Sequence, residues 1–290
     1  MKKIGFVGLG NMGFFMSKNL SLNDYTVNGY DINQNVFEKL KNFKVNQVSS
    51  LSKISQGNDI IITMLPNGSV VEEIWTTILK EIDSNTLIVD CSTIDIETSK
   101  KLHNLAKNMK IQSLDAPVSG GTIGAENGSL TFMVGGDVEA YERMVPLFQI
   151  MGNKSILCGN AGSGQATKMC NNLLLAITMS GLGEAMKLAK SQSLDMQKFF
   201  DVLSTSTGSC WALNNYSPIK GVGPISPADN EFKPGFSSQL MLKDLSLALT
   251  AAGQEKLNLS IGRKVLNNYK KLIENQEGHL DFSNIINYVD

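Results

Sequence analysis

Lys3-Ile4-Gly5-Phe6-Val7-Gly8-Leu9-Gly10-Asn11-Met12-Gly13 joins a short apolar run to a G-x-G-x-x-G motif, and the pattern from Phe14 to Leu22 is helical. Strand, glycine turn and helix in that order form the context in which this motif cradles a dinucleotide. Gly8 makes the tight turn, Gly10 lets backbone approach a pyrophosphate, and Gly13 permits close packing of helix on strand. Leu9, Asn11 and Met12 complete the loop. The diphosphate then lies at a helix N-terminus, where free N–H groups and the helix dipole favour negative charge.

Working outward, a strand from Tyr25 to Tyr30 ends in Asp31, close to the offset of about 20 residues expected for the acid that binds the adenosine ribose hydroxyls. Ile32 and Asn33 follow, with no adjacent Arg to accept a 2'-phosphate, so NAD is expected rather than NADP. Asp31 has a second reading, as the cap of a helix starting near Gln34. The alternation continues with strand Asp59 to Leu65, helix Val70 to Ile82, strand Thr86 to Asp90, helix Ile94 to Met109 and strand Ile111 to Asp115. Repeated β-α units imply an α/β, Rossmann-type, doubly wound and mainly parallel sheet with helices on both faces. Ligands of such sheets bind beyond the carboxyl ends of the strands. Three segments fall there: Met64-Leu65-Pro66-Asn67, Cys91-Ser92-Thr93 and Ala116-Pro117-Val118-Ser119-Gly120-Gly121. Taken singly, their Pro and Gly residues also read as turn formers, and it is the shared position that marks them.

A further strand is expected from Ser129 to Gly135, then an amphipathic helix from Val138 to Met151 interrupted by Pro146, then a strand from Ser155 to Cys158. The character of the chain changes at Gly162-Ser163-Gly164. Beyond it only helical patterns remain, at Ala166 to Ser191, Met196 to Ser204, Ser238 to Gln254, Ile261 to Asn275 and briefly after Phe282. The expected division is a dinucleotide-binding domain over 1–162 and an all-α domain over 163–290, with a hinge at Gly162-Ser163-Gly164 and a substrate cleft between. Gly159 to Gly164 has the spacing of a phosphate loop, but Gln165-Ala166 stands where Lys-Ser/Thr is required. Lys168 and Asn172, four apart, share one helix face. Lys168 reads either as a functional amine or as a lysine snorkelling from a core helix. The long segment from Ser206 to Gly235, with Trp211, Tyr216 and several Pro and Gly residues, reads either as a functional cover or as an aromatic plug between helices.

The 290 residues suit two domains. With 26 Lys and Arg against 27 Asp and Glu spread along the chain, there is no footprint for nucleic acid or an anionic membrane. Four cysteines form no C-x-x-C pair and only two histidines are present, so no metal site is expected and the thiols read as reduced. No signal-peptide pattern or apolar span is found, and a cytoplasmic protein is expected.

With these landmarks, the chain resembles the β-hydroxyacid dehydrogenase family. The blocks that carry the resemblance are Gly5 to Gly13, Asp115-Ala116-Pro117-Val118-Ser119-Gly120-Gly121, Gly164-Gln165-Ala166-Thr167-Lys168-Met169-Cys170-Asn171-Asn172, and Lys243-Asp244-Leu245. The spaced pattern Cys210-Trp211, Asn215-Tyr216, Pro218, Gly221-Val222, Pro227-Ala228, Asn230 and Gly235-Phe236 is similar to its 3-hydroxyisobutyrate branch. Val70 stands near where some relatives have a cofactor-contacting Asn. The resemblance implies reversible, NAD-dependent oxidation of 3-hydroxyisobutyrate to methylmalonate semialdehyde, as in valine breakdown. It implies Lys168 as general acid/base, Ser119, Gly120, Gly121, Asn172 and Lys243 on a small 3-hydroxy acid, and no metal. The implied cofactor contacts are Gly8 to Gly13, Asp31, Met64, Leu65, Pro66, Thr93, Phe236 and Lys243. A homodimer or homotetramer through the helical domain is also implied. Competing readings are an NADPH-dependent reductase of glyoxylate, succinic semialdehyde or tartronate semialdehyde, and a catalytically silent dinucleotide-binding protein.

Overall fold

Ile60–Thr63 and Leu87–Asp90 are buried at every position, as central strands of a parallel sheet covered on both faces must be. In the computed structural model, which describes residues 2–289, they are β4 and β5 of a nine-stranded sheet. The others are β1 (Lys3–Val7), β2 (Thr26–Tyr30), β3 (Val45–Gln47), β6 (Gln112–Asp115), β7 (Val118–Ser119), β8 (Leu130–Gly136) and β9 (Gly152–Gly159). The run β3-β2-β1-β4-β5-β6 is parallel throughout; β8 then pairs antiparallel with β6 and β7 and parallel with β9. Strand order reverses between β1 and β4, which opens a crevice beyond their carboxyl ends. Val7 pairs with Tyr30 on one side and Thr63 on the other, so the loops after all three strands emerge together.

Helices α1 (Gly13–Leu22), α2 (Val36–Leu40), α3 (Leu51–Ser55), α4 (Gly68–Leu79), α5 (Ile96–Asn108), α6 (Gly121–Glu126) and α7 (Val138–Met151) cover this sheet. Asn67 and Asp95 start α4 and α5 with side-chain caps on the Val70 and Thr98 N–H groups. Helix α7 runs unbroken through Pro146, contrary to the expected interruption. Proline removes one N–H donor, and the helix retains its apolar face, with Met144, Leu147, Phe148 and Met151 fully buried.

After β9 no further strand forms among the described residues. Helices α8 (Ser163–Ser191), α9 (Met196–Ser204), α10 (Trp211–Tyr216), α11 (Ser238–Gln254) and α12 (Ser260–Glu274) follow, with 3-10 turns at Pro227–Asn230 and Phe282–Asn287. The core of these helices is built from Met179, Met186, Leu245, Tyr269, Leu272 and Phe282, among others. The all-α expectation holds, while the segment from Ser206 to Gly235 is less irregular than expected, since α10 and one 3-10 turn lie in it. Trp211 stacks on Tyr216 at 5.3 Å and Tyr216 on Phe282 at 5.2 Å, so these aromatics pack as a ladder within the helical unit.

Contacts divide the chain into two compact units, one ending at Lys168 and the other beginning at Met169, a few residues later than the composition change suggests. The reason is that the first turns of α8 are hydrogen-bonded into the sheet unit, as described below. No helix among the described residues is long and apolar enough to cross a membrane.

Candidate active site

In the sheet unit, the loop after β1 has the shape the glycine motif requires. Gly8 has φ +91°, and a Cβ there would lie 2.2 Å from the Met64 carbonyl oxygen. A Cβ on Gly10 would meet nothing within 4 Å, so the loop presents open backbone at the position meant for a pyrophosphate. The α1 terminus has no side-chain cap and no acidic residue in its first turn, a setting that favours an anion. These features fit NAD. Asp31 does not cap α2, whose N-cap position is Asn35. Its Oδ2 accepts the Leu9 N–H at 2.6 Å and its Oδ1 the Asn33 N–H at 2.7 Å, tying the end of β2 to the glycine loop.

The loops after β4 and β5, both marked in the sequence, are bolted together through a carboxylate that pattern reading did not single out, Asp90. The Leu65 N–H donates to Ser92 Oγ at 2.8 Å, and the Ser92 hydroxyl donates to Asp90 Oδ1 at 2.6 Å. Thr63 Oγ1 donates to the same oxygen at 2.7 Å and accepts from Trp75 Nε1 at 3.1 Å. Met64-Leu65-Pro66 and the turn holding Thr93 are therefore held by one buried carboxylate. Burial pushes Asp90 up to about 6, against the pull of its Ser92 and Thr63 hydrogen bonds. A carboxyl raised in the folded state favours folding when protonated, so this contribution is lost as pH rises from about 4 to about 6. One pKa unit is about 1.4 kcal/mol, which makes the change on the order of 3 kcal/mol. Urea titrations of Asp90→Asn and wild type at pH 4.5 and 6.5 should therefore show a flatter pH response in the variant; parallel responses would count against a perturbed Asp90.

The segment after β6 begins at Asp115 and reaches Ser119, which is partly exposed at the end of β7, then Gly120 with φ +133°. Asp115 is buried, and its carboxylate accepts the Gly162 N–H at 2.7 Å and the Gln165 N–H at 2.9 Å. Gln165 is fully buried; its Oε1 accepts the Ile94 N–H at 3.1 Å and its Nε2 donates to the Ser92 carbonyl at 2.7 Å. The start of α8 is thus fastened to both the β5 and β6 loops. Three residues after Gln165, Lys168 is only 8 % exposed, unlike a lysine whose ammonium snorkels into bulk water. Gln165, which stands where a phosphate loop would need its Lys, serves instead as a structural strut.

In the helical unit, Asn172 is buried one turn beyond Lys168 along α8. Its Nδ2 donates to Asp244 Oδ2 at 2.5 Å, and its Oδ1 accepts from Asn171 Nδ2 at 2.9 Å. Lys243 Nζ stands 3.5 Å from the other Asp244 oxygen. Asp244, which the sequence marks only as a neighbour of Lys243 in one block, therefore joins Asn172 and Lys243. Phe236 is placed by Asp281, whose Oδ2 accepts the Gly235 and Phe236 N–H groups at 3.0 and 3.1 Å and the Tyr216 hydroxyl at 2.9 Å. Burial raises the Asp281 carboxyl above its ordinary range although these donors pull it down. Asp90 and Asp281 have no local motif, and the roles of Ser92, Gln165 and Asp244 within their marked segments emerge only from long-range contact.

Comparison with known proteins agrees with this arrangement. The family described as the NAD binding domain of 6-phosphogluconate dehydrogenase matches residues 3–159, and the one described as NAD-binding of NADP-dependent 3-hydroxyisobutyrate dehydrogenase matches 162–289. The chain is 41% identical over 286 residues to a probable 3-hydroxyisobutyrate dehydrogenase of Mycobacterium tuberculosis, covering 99% of this chain and 97% of that one. It is 40% identical to an NAD-dependent L-serine dehydrogenase of Pseudomonas aeruginosa, covering 98% of this chain and 96% of the relative. A solved structure of the Mycobacterium tuberculosis 3-hydroxyisobutyrate dehydrogenase with L-serine superposes with a TM-score of 0.94 at 40% identity, covering 99% and 98% of the two chains. A glycine cradle open for a dinucleotide and full-length likeness at this identity lead to one conclusion: the chain belongs to the 3-hydroxyisobutyrate dehydrogenase family of NAD-binding oxidoreductases.

Proposed function

We propose that this protein oxidises 3-hydroxyisobutyrate to methylmalonate semialdehyde with NAD, in the cytoplasm, as a step of valine breakdown. The observation that carries the reading is the buried Lys168 on a helix fastened to the loops at the carboxyl ends of the strands. NAD, when bound, supplies the hydride acceptor. Lys168 Nζ takes the proton of the substrate hydroxyl during oxidation and returns it to the aldehyde oxygen during reduction. The Ser119 hydroxyl and the Gly120 and Gly121 N–H groups hold the carboxylate. Asn172 and Lys243 are assigned to the substrate, and Phe236, Lys243, Asp31, Thr93, Met64-Leu65-Pro66 and the loop from Gly8 to Gly13 to the cofactor. Asp31, with no Arg beside it, supports NAD over NADP. The domain assignment we adopt is a cofactor domain over 1–162 and a helical domain over 163–290.

A second reading is favoured by the Pseudomonas relative: L-serine shares the hydroxymethyl carbon and carboxylate of 3-hydroxyisobutyrate and replaces its methyl by an ammonium. Steady-state assays of 3-hydroxyisobutyrate, L-serine, glyoxylate and succinic semialdehyde with both cofactors separate these readings. The expected result is kcat/KM for 3-hydroxyisobutyrate with NAD at least about 10-fold above every other pair, a margin of about 1.4 kcal/mol. A preference for L-serine would transfer the assignment to the second reading.

The helical unit also supports self-association. Leu174 and Leu188 on α8 and Ile261 on α12 are exposed apolar side chains. Between these helices lies a cavity of about 360 Å³ whose buried Ser180 Oγ and Asn268 Oδ1 have no hydrogen-bond partner among the described residues. A second copy packed on this face covers the apolar groups. Light scattering should give a dimer or tetramer for the wild type and a smaller species for Leu174→Glu; a wild-type monomer would remove the proposal.

A further inference from the structure

An ordinary helix start has a Ser, Thr, Asp or Asn whose side chain accepts the N–H three residues on, often with a Glu or Gln there that reaches back to the first N–H. Helix α8 begins after Gly162, which has no side chain to do this. Asp115, at the end of β6, supplies both bonds from 47 and 50 residues away: Oδ1 accepts the Gly162 N–H and Oδ2 the Gln165 N–H. The fit requires glycine at position 164, because a Cβ there would lie 2.7 Å from Asp115 Oδ2 and 2.4 Å from the Met133 carbonyl oxygen.

The carboxylate is itself held. His103, buried on α5, has Nε2 3.0 Å from Asp115 Oδ1, and Ser113 Oγ stands 2.8 Å from His103 Nδ1. A carboxylate only accepts, so His103 Nε2–H donates to it; in the neutral ring Nδ1 then accepts the Ser113 hydroxyl. Nothing in the reaction proposed above uses this Ser113-His103-Asp115 chain, and its burial keeps it from substrate.

We propose that Asp115 is a positioning residue for Lys168: the carboxylate that ends β6 sets the rotation and depth of the first turns of α8, and with them the amine three residues beyond Gln165. The assignment rests on Lys168 as the proton carrier. Because residues 115 to 121 run on from the same carboxylate, one group indexes the proposed substrate loop and the proposed proton carrier to each other.

Asp115→Asn keeps the shape but turns one acceptor into a donor facing an N–H. We expect kcat to fall about 10-fold or more, with the NAD dissociation constant within about twofold of wild type. Should that variant not fold, His103→Leu, which removes one donor to Asp115, should lower kcat several-fold, and His103→Gln, which restores an N–H donor, should recover most of it. A kcat within twofold of wild type in both Asp115→Asn and His103→Leu would overturn the proposal, as would parallel loss of NAD binding and turnover. Lys168→Ala is run alongside. If it abolishes turnover while Asp115→Asn does not, only the positioning role fails; if it retains turnover, the Lys168 assignment fails first.

Discussion

Lys168→Ala is expected to lower kcat for hydroxy acid oxidation by about 100-fold or more while the fold and NAD affinity stay close to wild type. A positioned general base contributes roughly 100- to 10,000-fold, and Ala removes the whole of that contribution. The cofactor cradle from Gly8 to Gly13 and the bolt from Leu65 through Ser92 to Asp90 do not involve Lys168, so binding should survive. The start of α8 keeps its Asp115 and Gln165 bonds, and Ala is the most favourable helix residue. Fluorescence titration with NADH and single-turnover kinetics check the two halves separately. Turnover within about tenfold of wild type would sink Lys168 as the proton carrier.

Asp281→Ala should destabilise the helical unit by about 4 kcal/mol, the largest single-residue loss we expect outside the apolar core. Its fully buried carboxylate collects five donors: Tyr216 Oη, the Gly235 and Phe236 N–H groups on one oxygen, and the Ser283 N–H and Oγ on the other. Alanine strands them together, at about 1–3 kcal/mol for each that stays buried, with relaxation and water recovering part. The aromatic ladder from Trp211 through Tyr216 to Phe282 rests on the same carboxylate. Urea unfolding followed by Trp fluorescence and far-UV circular dichroism should show the loss. A change below about 1 kcal/mol would mean that the donors find other partners.

Asp281 and Asp115 also show where reading the sequence stops. The G-x-G-x-x-G loop, Asp31, the three loop segments and the run from Gly162 to Asn172 were all legible, because each is a local pattern whose spacing follows from a strand, a turn or a helix. The small elements β3, α3 and α6 were not, since three to six residues carry too little periodicity to separate from turns. Pro146 misled in the other direction: local propensity predicts a break, but burial of the α7 face on the sheet prevails. The assignments of Ser119, Gly120, Gly121, Phe236 and Lys243 came from family likeness; the structure shows only what these residues pack beside, such as Asp281 at the Phe236 N–H and Asp244 beside Lys243.

By itself, the amino-acid order determined a parallel α/β half with a dinucleotide cradle, a helical half and a lone lysine at their junction, because backbone turn chemistry and side-chain periodicity act over a few residues. What only the tertiary structure decided was how the pieces are locked. Asp90 and Asp281 look like ordinary polar residues in the chain, and the blocks that hold Asp115, Gln165 and Asp244 do not say what these bind; burial turns all five into fasteners. A buried acceptor must find donors wherever the fold brings them, here from 2 to 72 residues away, and no local pattern records that distance.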